Sequence, residues 1–293
     1  MDHCMLCPRK CGADRKNGNI GACGIGDGIF VARAAAHRFE EPPISGQNGS
    51  GTVFFAGCSL RCIFCQNKEI SRGAYGRSYD EAGLARLLLT LAESGVHNLN
   101  LVTATHYTDK IAYVLQKIKP QLKIPVVWNS SGYENVETLK LLEGLVDVYL
   151  PDFKYISPDL AHACSGASGY AEIATEALLE MHRQVGAAQF DANGMMTKGM
   201  IVRHLLLPGC RQDSEAVLRH LAKILPVADI RLSLMRQYTP DFAPKDAPRN
   251  LLRRVTSFEY NKAAELAEAL GFEGFLQDKT AATAAYTPNF SEN

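Results

Sequence analysis

Thr52-Val53-Phe54-Phe55-Ala56-Gly57-Cys58-Ser59-Leu60-Arg61-Cys62-Ile63-Phe64-Cys65 decides how the rest of the chain is read. The first five residues are β-branched, aromatic or small and stand between glycines, which marks a short buried strand. The cysteines follow at C-x3-C-x2-C, so three thiolates leave the C-terminal end of that strand on one loop. An electron-transfer cluster normally takes four cysteines, and a structural zinc site closes four ligands around the ion. Three cysteines on a 4Fe–4S cluster leave one iron open for chemistry. A zinc knuckle or a chance grouping is the plainer reading of the same spacing.

Downstream of this loop, strands and helices alternate. Strands are predicted over 98–103, 124–128, 145–150, 199–207 and 230–235. Helices are predicted over 81–93, 109–118, 136–143, within 170–185, and over 214–225 and 258–270. The Ser78-Tyr79-Asp80-Glu81 run reads as a capping box opening the first helix. Repeated βα units imply a parallel sheet. Six units are too few for a closed eight-stranded barrel, so the expected fold is α/β, a partial (βα)6 TIM-like barrel. A doubly wound sheet is the alternative. In either, the site lies at the C-terminal ends of the strands. The Ala/Thr-rich tail after Asp278 is expected to be mobile.

The first four of nine cysteines, Cys4, Cys7, Cys11 and Cys23, run C-x2-C-x3-C and then eleven residues to the last. The polar loop between Cys11 and Cys23 cannot build a core, so a metal is expected to supply its folding free energy. Four thiolates suit tetrahedral zinc and suit a second 4Fe–4S cluster nearly as well. Residues 1–30 are therefore read as a short cysteine-rich metal knuckle and 31–293 as the barrel with a C-terminal extension. Cys164 and Cys210 stand alone and read as small buried hydrophobes.

The 293 residues carry no net formal charge and are 46% hydrophobic, enough for a full core. Charge balance gives no argument for a nucleic-acid or anionic-membrane partner, and no window reaches the length of a membrane span. The start, Met1-Asp2-His3-Cys4, does not read as a signal peptide. Nine cysteines without one point to metal thiolates in a reducing cytoplasm.

Polar residues stand just past the predicted strands: Thr103-Ala104-Thr105-His106, Asn129-Ser130-Ser131-Gly132, Asp152-Phe153-Lys154, and Arg236-Gln237-Tyr238. Arg203 and His204 alternate on their strand, so one of them faces the mouth, and Arg203 is the choice. Trp128 reads as core and His37 as a loop residue.

The cysteine loop, with an aromatic Phe64 before its last cysteine, resembles that of the radical S-adenosylmethionine (SAM) superfamily. The resemblance implies a 4Fe–4S cluster on Cys58, Cys62 and Cys65, SAM chelated to the open iron, and a 5′-deoxyadenosyl radical that abstracts hydrogen. It also implies the partial barrel and a reductant such as flavodoxin or ferredoxin. Leu150-Pro151-Asp152-Phe153-Lys154 resembles the Asp-x-Lys segment of pyruvate formate-lyase activating enzymes, in which the lysine contacts SAM and the aspartate serves a monovalent cation. Asn129 stands where those enzymes have Asp, which leaves the cation open. Thr103-Ala104-Thr105-His106 stands in place of their Gly-Gly-Glu. With four N-terminal cysteines and no internal cysteine-rich insert, the whole chain resembles the PflX-type branch. The SAM pocket is thus expected to use Thr103, Thr105, His106, Asn129, Ser130, Asp152, Lys154 and Arg203. The substrate is then a glycyl-radical enzyme; the alternatives are a small molecule or peptide, or a non-catalytic iron–sulfur redox role.

Overall fold

The computed structural model describes residues 3–277, 279–281 and 290. Its strands are β1 (Ile29–His37), β2 (Ser50–Phe55), β3 (Arg77–Tyr79), β4 (Leu99–Val102), β5 (Val126–Ser130), β6 (Val148–Pro151), β7 (Gln189–Phe190), β8 (Met196–Leu205), β9 (Arg231–Met235) and β10 (Gly274–Leu276). The helices are α1 (Pro42–Ser45), α2 (Lys68–Ser71), α3 (Glu81–Glu93), α4 (Thr108–Ile118), α5 (Val136–Leu139), α6 (Pro158–Ser165), α7 (Tyr170–Val185), α8 (Arg211–Ile224) and α9 (Ser257–Ala269).

The run that carries the reading is β2, with all six residues buried. It pairs in parallel with β4, and the parallel series continues β4-β5-β6-β8-β9. These are the six expected barrel strands. The sheet order runs β10-β9-β8-β6-β5-β4-β2-β1-β3, with β7 paired to β8, and its two edges do not meet. The result is an open, mostly parallel barrel with helices outside, as the pattern predicts.

Side-chain alternation explains where the barrel opens. On β5, β6 and β8 the inward residues go from apolar to polar toward the C-terminal end: Val127 then Asn129, Leu150 then Asp152, Ile201 then Arg203. Val127, Val148, Leu150, Met196 and Ile201 pack with Ile44 of α1 into a plug. The outward residues, among them Phe55, Leu101, Trp128 and Val202, join the helices in the main core.

Some local expectations needed correction. Ser78 lies in β3 and is no cap; Asp80 caps α3 by accepting from the Gly83 amide. The capping box belongs to α9, where Thr256 and Glu259 bond reciprocally. The antiparallel β1, which pairs with β2 and β3, is not predicted by the sequence, because Ala34-Ala35-Ala36 lacks a strand's alternation. α6 was not foreseen either; Ser157 caps it, with Pro158 at its first position. Of the tail, residues 278, 282–289 and 291–293 lie outside the described residues, so the expected mobility is not addressed there. Phe290 is buried, its ring edge-on to Phe54 at 5.5 Å.

Candidate active site

One cavity sits at the C-terminal ends of the strands. Cys58, Cys62 and Cys65 form one wall, and the tips of β4, β5, β6 and β8 supply Thr103, Asn129, Ser130, Asp152, Lys154 and Arg203. The loop leaves β2 through Gly57, and polar contacts reach its sulfurs. The Arg61 amide lies 3.5 Å from Cys58 Sγ, and the Ser165 hydroxyl donates to Cys62 Sγ at 3.2 Å. Burial pushes the Cys58 thiol up and, with Cys62 and Cys58 beside it, pushes Cys65 up to about 12. Without a cation these thiols stay protonated; a metal would supply the charge that lets them ionise and ligate. Among the described residues no group of three His, Cys, Asp or Glu side chains is drawn together as a ready ion cage. The donor set nevertheless fits a cluster: three thiols on one short, partly buried loop, with hydroxyl and amide donors aimed at sulfur.

Charges dominate the opposite wall. Lys154 Nζ lies 2.5 Å from Asp152 Oδ2, and both side chains are largely buried. Burial alone would lower the lysine, but the paired Asp152 carboxylate outweighs it, with Cys62 and Cys65 adding to this when they are thiolates, and holds it charged. Arg203 donates to Asn129 Oδ1 at 3.2 Å and to Glu40 Oε2 at 3.2 Å, with Glu41 Oε1 3.1 Å from its Nε. Glu40 also accepts from Asn100 Nδ2 at 3.0 Å. Burial pushes the Glu40 carboxyl up, opposed by Arg203.

Sequence reasoning missed Glu40 and Glu41. The signal was there: two carboxylates between a short Ala-rich run and Pro42-Pro43. It went unread because β1 went unread. Thr105 and His106 do not line this cavity. The Thr105 hydroxyl donates to Glu134 Oε1 at 3.1 Å. The His106 ring bonds the Ala56 carbonyl oxygen at 2.8 Å, behind the cysteine loop, and burial lowers it to about 3. Adjacency to Thr103 in the sequence does not bring these two side chains to the mouth. After Thr103, at φ +59°, the chain turns into a 3-10 turn over Thr105–Tyr107 that carries them outward. His204 faces away from the mouth and bonds the Phe153 carbonyl at 2.8 Å, whereas Arg203 faces in. Trp128 is core, its Nε1 donating to Glu134 at 2.9 Å.

The fold and site together are an open, mostly parallel barrel with a three-cysteine loop at its mouth. The family model described as the radical SAM superfamily matches residues 52–200, just over half of the chain. The chain belongs to the radical SAM superfamily, an enzyme family whose members use a 4Fe–4S cluster and SAM. The chain is 29% identical over 280 residues to the uncharacterised protein MJ0674 of Methanocaldococcus jannaschii, covering 91% of this chain and 74% of that one. Its fold is similar to a radical SAM methyltransferase from Sphaerobacter thermophilus, with a TM-score of 0.51, 16% identity and 77% of this chain covered. The chain spans 65% of that structure's length. It also matches a domain of pyruvate-formate lyase-activating enzyme from Bacteroides vulgatus at TM-score 0.41 and 10% identity, over 59% of this chain and 92% of that one. No helix among the described residues is long and apolar enough to cross a membrane.

Proposed function

We propose that Cys58, Cys62 and Cys65 ligate the catalytic cluster and that the cavity facing them binds SAM. The observation that carries this is the convergence of three thiols, Cys62 buried and Cys58 and Cys65 partly so, and a charged Lys154 on one cavity. When bound, the cluster and SAM supply a radical that abstracts hydrogen. The residues of the chain bind, orient and exclude water. Lys154 offers an ammonium to a carboxylate. Asn129, Ser130 and Thr103 offer amide and hydroxyl partners to amine and ribose groups. Arg203, already held by Glu40 and Glu41, fixes Asn129. Asp152 engages Lys154, and that pairing competes with the monovalent cation the resemblance raises. Phe54, Leu60, Phe64 and Val102 give the cavity apolar walls.

The hydrogen removed is assigned to a glycine of a partner enzyme of the pyruvate formate-lyase type, with flavodoxin or ferredoxin as reductant. The Asp152-Phe153-Lys154 segment at the tip of β6 supports this choice. Replacing Cys58, Cys62 and Cys65 together by Ala should abolish reductive formation of 5′-deoxyadenosine while far-UV circular dichroism stays unchanged. Continued formation would remove the cluster from this loop. Incubation of the intact protein, loaded with its cluster and supplied with SAM and reduced flavodoxin, with a glycyl-radical enzyme should yield a backbone-centred radical by EPR. Turnover of SAM with no such radical would shift the substrate to a small molecule or peptide.

A further inference from the structure

We propose that Cys4, Cys7, Cys11 and Cys23 form a tetrathiolate metal site whose loading braces the Cys58–Cys65 loop, so that the N-terminal knuckle is the strut of the catalytic centre. The strut half rests on the reading of that loop given above; the metal site stands on its own residues.

The knuckle folds back on itself through backbone bonds. The Cys4 amide donates to Ala13 O at 3.1 Å, Gly12 to Cys4 O at 3.1 Å and Lys10 to Cys7 O at 2.9 Å. Its one regular element is a 3-10 turn, Arg15–Asn17, with no buried residue. Ordering backbone costs roughly 1–2 kcal/mol per residue; Leu6 and Ile25 are buried at the two ends of the knuckle, but from Pro8 to Ile20 no residue is, so that stretch has little apolar burial to offset the cost. Four thiols are the available source of stabilisation. Cys4, Cys7 and Cys23 are buried and Cys11 is exposed. Cys23, Cys4 and Cys11 are all close enough to Cys7 to act on its thiol, so the four sulfurs are neighbours in space. The Arg15 guanidinium donates to Cys23 Sγ at 3.2 Å, a polar contact on the fourth sulfur.

The knuckle is joined to the loop by its own cysteine segment. Arg9, between Cys7 and Cys11, donates to Ser59 O at 2.8 Å and Leu60 O at 3.4 Å on the loop. The same guanidinium donates to Ser165 O at 2.7 Å and Gly166 O at 2.6 Å, where α6 ends. Ser165 is the residue whose hydroxyl reaches Cys62 Sγ. The Cys58 amide donates to Cys23 O at 3.1 Å. At Gly57, φ is +82° and a Cβ would come within 2.4 Å of Ile25 and 2.9 Å of Cys23 O. The last knuckle cysteine therefore touches the first loop cysteine through one hydrogen bond. A metal that fixes Cys7, Cys11 and Cys23 also fixes Arg9 and the Cys23 carbonyl.

The test uses the full chain purified without oxygen. In the Cys58→Ala, Cys62→Ala, Cys65→Ala protein, remaining metal reports the knuckle alone. Zinc near one equivalent, or iron with labile sulfide, supports the site and tells which metal it takes. A protein that retains neither metal overturns it. Adding Cys11→Ser, a change at an exposed position, should release that metal; unchanged metal overturns the four-thiol assignment. With the loop intact, Arg9→Gln should leave the knuckle metal in place and lower the loop's affinity for iron roughly 10–100-fold, the range for a lost supporting contact. The readout is iron retained against a chelator. Unchanged retention overturns the strut. A loop that binds no iron beside a loaded knuckle overturns the strut and the radical reading together, and leaves the metal site standing.

Discussion

The two ends of the barrel are built from the same strands and differ in almost everything else. The end opposite the cysteines holds the roomier hollow, about 790 Å³, lined by residues such as Pro42, His97, Phe190, Arg231 and Glu273. Its ion pair, Arg231–Glu273 at 3.1 Å, is on the rim, with the Glu273 side chain 72% exposed. The cysteine end is tighter and holds Glu40, Asp152, Lys154 and Arg203 away from water. Volume therefore does not mark the site. Charges that the fold has taken out of water and paired do, because each such pair is costly to assemble and expensive to break.

Breaking the charge layer should have the largest effect. Arg203→Met keeps the stem and leaves Glu40 and Glu41 without their cation. Removing one partner of a buried pair costs roughly 3–5 kcal/mol, so the urea midpoint should fall sharply. A wild-type midpoint would mean that water reaches the two carboxylates.

Lys154→Met comes next. Loss of a buried charge partner costs roughly 2–5 kcal/mol, so SAM affinity measured by calorimetry should drop by at least an order of magnitude. Iron content should hold. Equal affinity would put Lys154 on the substrate side of the cavity or outside its binding face.

Acid should act through the groups behind the cavity. Burial holds His204 neutral, down at about 4 from the ordinary 6.5. The unfolded chain takes up that proton first, so this contribution to stability is complete above about pH 6.5 and is lost as pH falls toward 4. Denaturation midpoints measured at pH 7 and 4.5 should differ, and the difference should shrink in His204→Gln. An identical pH slope in the variant would assign the acid sensitivity to other groups.

The far end should respond least. Arg231→Ala removes a rim pair worth about 0–1 kcal/mol and should leave SAM affinity and iron content at wild-type values. A clear loss of either would erase the distinction between the two ends.

Much of the cavity was legible in the residue order. The C-x3-C-x2-C loop is local, and three thiols within eight residues must share one short stretch of backbone. The six strand–helix units show as runs of apolar periodicity. Asp152 and Lys154 sit two apart at a strand tip, so alternation sends both toward the same side. These readings need neighbours no further off than one turn or one strand.

What needed the tertiary structure involves partners far apart in sequence. Glu40 reaches Arg203 across 163 positions, and Arg9 reaches Ser165 across 156. No pattern within a window reports such pairs. Thr105 and His106 share a polar run with Thr103, yet the turn after it directs them behind the loop. A sequence determines which groups are close along the chain and which face of an element they share. Only the packed sheet decides which distant carboxylate meets a buried guanidinium, because that depends on strand order and on the path of β1, whose alanines carry no side-chain signal of their own.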